Sequence, residues 1–202
     1  MTTLDFKSLY LHKVKMRLKT PLFNILTIIS LSFFASACKN DPPQYKNGKT
    51  TFFDLKTYFK TEIARLKTDV KQVKKTVTVN GKSEEKILDS LNFEEELAPF
   101  VASDINRPAW SDYYMNKNEP QGIESFRDEY YALKDHLKTR SMIIDKKGSN
   151  TTINILNAEE TVATKAETRL IYNNNSGYTI STTQKLMGSE DSVKVNVQFI
   201  EK

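Results

Sequence analysis

Few residues of this chain could carry out covalent or acid–base chemistry. Cys38 is the only cysteine among 202 residues, so no disulfide can form within the chain and one thiol is the only soft nucleophile. It ends the run Ala35-Ser36-Ala37-Cys38, directly after the apolar stretch Leu22 to Phe34. Small residues between a hydrophobic segment and a lone sulfur fit a site that is processed at a membrane.

Histidine offers little more. His12 precedes the apolar stretch, and His136 lies in Lys134-Asp135-His136-Leu137-Lys138 without a second ligand beside it. It reads as a surface histidine rather than a metal ligand or general base. Zinc sites rich in histidine and cysteine are excluded by count. There is no Gly-x-Ser-x-Gly elbow and no phosphate-binding glycine loop. Acids are plentiful, so a carboxylate-based hydrolase stays open as a minor alternative; it needs two acids about 5–9 Å apart in a cleft. Glu94-Glu95-Glu96 and Glu159-Glu160 read more simply as solvated charges or helix N-terminal acids. The chain is therefore expected to be non-enzymatic and to use no cofactor and no metal.

The first 37 residues have the parts of an export signal. Arg17 and Lys19 supply positive charge, the apolar run is 13 residues, and small residues follow. A spanning helix needs about 20 apolar residues, so a retained transmembrane helix is not expected. Met16 is an alternative start to Met1. Ala35-Ser36-Ala37-Cys38 resembles the lipobox of bacterial lipoproteins, with Ala35 where leucine is commoner. The resemblance implies diacylglycerol on Cys38, cleavage before it, and often a third acyl chain (a palmitate-type modification). Two or three chains suffice for stable anchoring. The alternative is an ordinary secretory signal cut after Ala37, leaving a free thiol. Lys39 follows where enteric lipoproteins retained in the inner membrane carry aspartate. Cys38-Lys39-Asn40-Asp41 resembles part of a surface-export signal of Bacteroidota-type bacteria. The expected location is the outer membrane, on either face.

Charge excludes a further class. The leader carries Lys7, Lys13, Lys15, Arg17 and Lys19 against Asp5, so the remaining 165 residues hold 25 basic and 24 acidic side chains. A near-neutral exported chain lacks the clustered cations that bind phosphate backbones, and no nucleic-acid partner is expected. The Lys-rich stretch Lys67 to Lys86 is interrupted by acids and reads as a solvated face.

The expected organisation is a signal over residues 1–37, a lipidated cysteine and flexible tether over 38–50, and one α+β domain over 51–202. Phe52, Leu55, Phe59, Ile63, Leu66 and Val70 form an apolar stripe at helical spacing, and Lys56, Lys60, Glu62, Arg65 and Lys67 fall on or beside the other face. Packing of that stripe on a sheet is the simpler reading; membrane contact is the other. Thr76 to Val79, Asn80-Gly81 and Lys82 to Leu88 predict a hairpin. A second helix carries Phe93, Leu97, Phe100 and Val101 inward, and Pro99 is expected to shorten it or make it restart. From Tyr130 the pattern becomes strands: Met142 to Ile144, Thr151 to Leu156, Thr168 to Tyr172, Tyr178 to Met187 and Ser192 to Ile200. The expectation is an N-terminal amphipathic helix packed on a curved antiparallel meander of about five strands.

One segment, Ser103 to Tyr113, holds the only tryptophan. Asp104, Asn106, Arg107 and Trp110 are the candidate binding surface, since tryptophan and arginine are enriched at interaction hot spots. The competing reading is structural: side-chain turns at Asp104 and Asn106, a short helix opened by Pro108, and Trp110 in the core. The lipobox, Phe53-Asp54-Leu55-Lys56-Thr57-Tyr58-Phe59, the Val77-Thr78-Val79-Asn80-Gly81-Lys82 hairpin and Asp104-Ile105-Asn106-Arg107-Pro108-Ala109-Trp110 together resemble a group of uncharacterised lipoproteins of Bacteroidota-type bacteria. The resemblance implies no activity. The function expected from the whole sequence is an outer-membrane lipoprotein, anchored by lipid on Cys38, that binds a lipophilic ligand. The alternative is an accessory subunit that docks on another envelope protein.

Overall fold

The computed structural model describes residues 52–120, 124–186 and 188–200. The leader, Cys38 and the tether lie outside the described residues. The core side chains of the sheet-bearing unit run from Phe52 to Val197.

Helix α1 spans Leu55–Asp69. Its N-cap is Asp54, whose carboxylate accepts the Thr57 N–H at 2.9 Å, satisfying one of the orphan donors of the first turn. Leu55, Phe59 and Leu66 are fully buried, as the spacing predicts. The sequence reading errs at Glu62, which is 8% exposed and faces the core. The reason is geometric: position 62 lies three residues after Phe59 and four before Leu66, on the stripe itself.

Strands β1 (Gln72–Val79) and β2 (Lys82–Leu88) form the expected hairpin. Asn80 and Gly81 take φ of 48° and 83°, the left-handed pair of a two-residue turn whose twist suits the strands. Helix α2 spans Phe93–Val101 and runs through Pro99 without interruption. The bond that Pro99 cannot donate would have gone to the carbonyl of Glu95, an exposed residue that water can serve. A 3-10 turn over Pro108–Tyr113 follows. Then come β3 (Tyr114–Pro120), β4 (Ser125–Ala132), β5 (Thr139–Lys147), β6 (Asn150–Glu160), β7 (Thr164–Asn173), β8 (Gly177–Leu186) and β9 (Ser189–Ile200).

The expected five-strand meander is corrected to one sheet of nine strands, in the order β2-β1-β9-β8-β7-β6-β5-β4-β3. Every neighbouring pair is antiparallel. Two physical causes account for the difference. Strand β3 is an edge strand of polar residues ending in proline, which suits an edge and lacks the apolar alternation of a central strand. Strand β4 places Asp128 between Phe126 and Tyr130 on its inward side, which breaks its pattern. In addition, β1 pairs with β9 from Gln72↔Ile200 to Val79↔Val193, a contact between the two ends of the domain that no local signal encodes.

Both helices lie on one face. Phe59 meets Phe100 and Tyr172 at ring-centroid distances of 5.1 Å, and Phe93 meets Phe199 edge-on at 6.2 Å. Tyr178, Tyr172, Ile153 and Ile144 form one cross-strand row beneath the helices. The opposite face carries residues such as Lys194, Asn196, Thr179 and Arg169, and faces water as antiparallel sheets permit.

Gly177 fixes the start of β8. Its φ is 131°, and a Cβ there would sit 1.9 Å from the carbonyl oxygen of Val197. Gly177→Ala is expected to cost about 3 kcal/mol or more. Gly148→Ala, at φ 57° with open space around it, should cost only about 1 kcal/mol. Urea unfolding of the two variants checks this; equal midpoints would refute the close approach at Gly177.

Candidate functional site

The helix-bearing face is only half covered, and the uncovered half has its own chemistry. Register places Val79, Val193, Thr182, Thr168 and Asn157 in one row across β1, β9, β8, β7 and β6. The adjacent row, nearer the helices, holds Val77, Val195, Ile180 and Leu170. Burial declines along β9 from Val197 at 1% exposed through half-buried Val195 to Val193 at 42%. Val79 beside it is 47% exposed. Four strand spacings separate β1 from β6, so this trough is about 19 Å long. A depression of about 490 Å³ lies at its β1 end, against Val77, Val79 and Lys82.

At the other end is a cavity of about 250 Å³, walled by Pro99 and Ala102 of α2 and by Asn157, Ala166, Thr168 and Ile180 of the sheet. Its polar floor is ordered. The Ser103 hydroxyl donates to the Pro99 carbonyl at 2.8 Å and accepts from Asn157 Nδ2 at 2.8 Å. Thr139 Oγ1 donates to the Ser103 carbonyl at 3.2 Å, and the Tyr114 hydroxyl to the Thr139 carbonyl at 2.9 Å. Ser103, Thr139 and Asn157 are all at most 5% exposed. Asn157 Oδ1 alone has no partner. Lys138 and Glu159 pair at 2.6 Å on the cavity wall.

No protein-family model, curated protein or solved structure matches this chain. The reading of the site therefore rests on its geometry.

The predicted surface residues divide into two roles. Asp104 and Asn106 secure the chain's entry into the domain. Asn106 Nδ2 donates to the Phe53 carbonyl at 2.8 Å, its Oδ1 accepts from Phe52 N–H at 3.3 Å, and Asp104 Oδ1 accepts from the Asn106 backbone and amide. Burial raises the Asp104 carboxyl above its ordinary value. Arg107 is exposed, with its guanidinium carbon 4.3 Å from the centre of the Trp110 ring. Trp110 is half-buried and packs against Tyr114 at 6.2 Å. These four residues are not part of the trough. Its valines and Asn157 escaped sequence reading because alternation shows only that a strand has an inner face, not which part of that face a helix will cover.

The remaining polar clusters are structural. Tyr172 donates to Glu62 Oε2 at 2.5 Å, and Arg65 grips both Glu62 oxygens at 3.1 and 2.9 Å while reaching the Asn174 carbonyl at 2.7 Å. Glu96 accepts from Lys75 of β1 at 2.5 Å and from Tyr178 of β8 at 2.8 Å. Arg127 holds Glu129 and Asp145 on the opposite, open face. A depression near His136 contains Asp135, Glu159 and Glu160, but each of these acids pairs with a cation. The depression of about 660 Å³ at the β7–β8 turn is lined by amides such as Asn173, Asn175 and Asn196, and these bond neighbouring side chains. Among the described residues, no three His, Cys, Asp or Glu side chains converge as a metal site would require.

Burial raises the hydroxyls of Tyr172 and Tyr178 above the usual tyrosine value, assisted by Glu62 and Glu96 respectively. Burial likewise pushes Tyr114 and Tyr130 up to about 12. The unfolded chain releases these protons near pH 10 and the folded chain keeps them. Stability should therefore hold below about pH 10 and fall above it, by up to ~1.4 kcal/mol per pH unit for each such tyrosine. Urea midpoints between pH 9 and 11.5 test this. Tyr172→Phe and Tyr178→Phe should each flatten the decline, and an unchanged slope would contradict the assignment.

Proposed function

We propose that this chain is a lipid-anchored lipoprotein of the bacterial outer membrane whose folded domain binds a lipophilic molecule along the uncovered half of its helix-bearing face. The observation that carries the reading is the valine trough. Exposed Val79 and Val193 continue into half-buried Val77, Val195 and Ile180 as one apolar strip at the edge of the core, and Ile180 lines a cavity. Natural sheets usually place polar side chains on surface that faces water; here exposed Val79 and Val193 sit side by side on this face.

The dimensions fit such a ligand. A bilayer core of about 30 Å is two acyl chains deep, so one chain spans about 15 Å, within the length of the trough. Beneath the helices, the space between them and the sheet is filled by Phe59, Phe100, Tyr172 and Tyr178. The ligand site is therefore assigned to the open half of the face and not to the interior. Lipidation of Cys38 places the domain at a membrane, where lipophilic molecules are supplied. The reading involves no reaction.

A second reading keeps one observation of its own. Arg107 and Trp110 stack at the surface as a pre-ordered cation–π pair, a form suited to a protein partner in the envelope. It predicts that Arg107→Ala abolishes a specific crosslink in intact cells while leaving the fold unchanged.

Two measurements test the leading reading. Residues 47–202, purified from cells without detergent, should show by native mass spectrometry a bound mass that extracts into organic solvent. Val79→Asp and Val193→Asp, at exposed positions, should remove that mass and shift the thermal midpoint by no more than about 2–4 °C. A bare polypeptide mass for the unaltered domain would count against the reading. For the anchor, Cys38→Ala should stop incorporation of labelled fatty acid and leave an uncleaved precursor; normal processing of that variant would refute lipidation there.

A further inference from the structure

Asn157 is the one buried polar side chain in the trough with an unpartnered atom, and its surroundings determine what could complete it. It is 5% exposed and lines the 250 Å³ cavity. Its amide orientation is set by its neighbour. Ser103 has a single hydroxyl proton, given to the Pro99 carbonyl, so toward Asn157 it can only accept. Nδ2 must therefore face Ser103, and Oδ1 is left as the free group. A buried acceptor without a partner is unusual in native proteins and calls for an explanation.

The residue that carries this acceptor lines the cavity. Asn157 is paired across the sheet with Thr139 on one side and Thr168 on the other. Thr139 donates elsewhere, to the Ser103 carbonyl. Thr168 and Thr182 bond each other at 3.1 Å. No donor in the protein is committed to Oδ1. The only charged side chains on the cavity wall are Lys138 and Glu159, and they neutralise one another at 2.6 Å. The cavity thus has a spare acceptor and no spare cation. A carboxylate or phosphate would meet an oxygen lone pair and an already paired ammonium. A neutral group with an O–H or N–H would meet the acceptor it needs.

We infer that the Asn157 cavity receives the polar end of the ligand, and that this end is a neutral hydrogen-bond donor, a hydroxyl or an amide N–H, with the apolar remainder lying along Ile180 toward Val193 and Val79. The inference rests on the lipophilic-ligand reading above and adds the chemistry of the head. Oδ1 has no water-accessible surface in this structure, so ligand binding requires the Asn157 side chain to turn toward the cavity that the residue lines.

The test separates donor capacity from charge and from apolar length. Affinities of residues 47–202 are measured at pH 8 by isothermal titration, below micelle-forming concentrations, for dodecan-1-ol, its methyl ether and dodecanoate. The ether matches the alcohol but cannot donate. The alcohol should bind at least about tenfold more tightly than the ether, the difference expected of one buried hydrogen bond, and dodecanoate should bind more weakly than the alcohol. Asn157→Leu should still bind alcohol and ether and bring their ratio close to one. Equal affinities for alcohol and ether in the unaltered domain, or a preference for dodecanoate, would overturn the head-group assignment while leaving lipophilic binding in place. Failure of all three to bind would overturn the lipophilic reading itself, and this inference with it. The comparison of ligands on the unaltered domain decides the matter even if Asn157→Leu does not fold.

Discussion

The architecture depends on a mismatch of lengths. Nine strands at about 4.8 Å spacing make a sheet about 38 Å wide. The long strands β6, β8 and β9, of 11, 10 and 12 residues, run about 33–40 Å, and the helices, of 15 and 9 residues, bury only one end of them. The pairing of β1 with β9 joins the N-terminal hairpin to the end of the meander. Burial is lost along the strands: Val73 of β1 and Val197 of β9 are 2% and 1% exposed, while Val79 and Val193 farther along the same strands are 47% and 42% exposed.

Coverage of the other half is fixed by polar contacts rather than by apolar packing alone. An apolar stripe on a helix tolerates sliding and rotation over an apolar sheet. A carboxylate that must meet one tyrosine hydroxyl does not. Glu62 ties α1 to Tyr172 of β7, and Arg65 links the same carboxylate to the β7–β8 turn at Asn174. Glu96 ties α2 to β8 and β1 together, and Lys67 joins α1 to Glu94 of α2 at 2.7 Å. Buried ion pairs often add little net stability, because desolvation offsets their attraction. Their effect here is to set the registry of two short helices, and so to set which rows of the sheet remain open.

The sequence made the local grammar legible and left the global layout hidden. The stripe of α1, the Asn80-Gly81 hairpin and the alternating valines of β9 follow from 3.6 and 2-residue periods, which depend only on neighbouring residues. Strands β3 and β4 were hidden because an edge position relaxes the demand for apolar side chains, and because Asp128 interrupts the inner row of β4. Glu62 was misplaced because its charge outweighed its spacing, although the spacing alone put it among Phe59 and Leu66. The candidate residues around Trp110 were chosen by type. Type could distinguish neither Asn106, which binds the backbone of Phe52 and Phe53, nor Arg107, which points outward. The trough had no local signature, since its members come from five strands and are joined only by register.

The position of the cavity follows from a change of side chains along the rows. Beneath the helices the inner rows carry tyrosine, isoleucine and leucine, large enough to fill the gap to the helix layer. In the row of Asn157, Thr168 and Thr182 the side chains become shorter and polar just where α2 ends at Val101 and the chain turns away through Ser103. A helix layer cannot close down on that row, because the Ser103 turn is held by the Pro99 carbonyl above and by Asn157 below. Larger apolar residues there would have sealed the space. Fully polar ones would have made it ordinary water-facing surface. Short residues beneath a fixed turn leave a partly open cavity beside a buried acceptor without a partner, at the point where the apolar strip meets the helices.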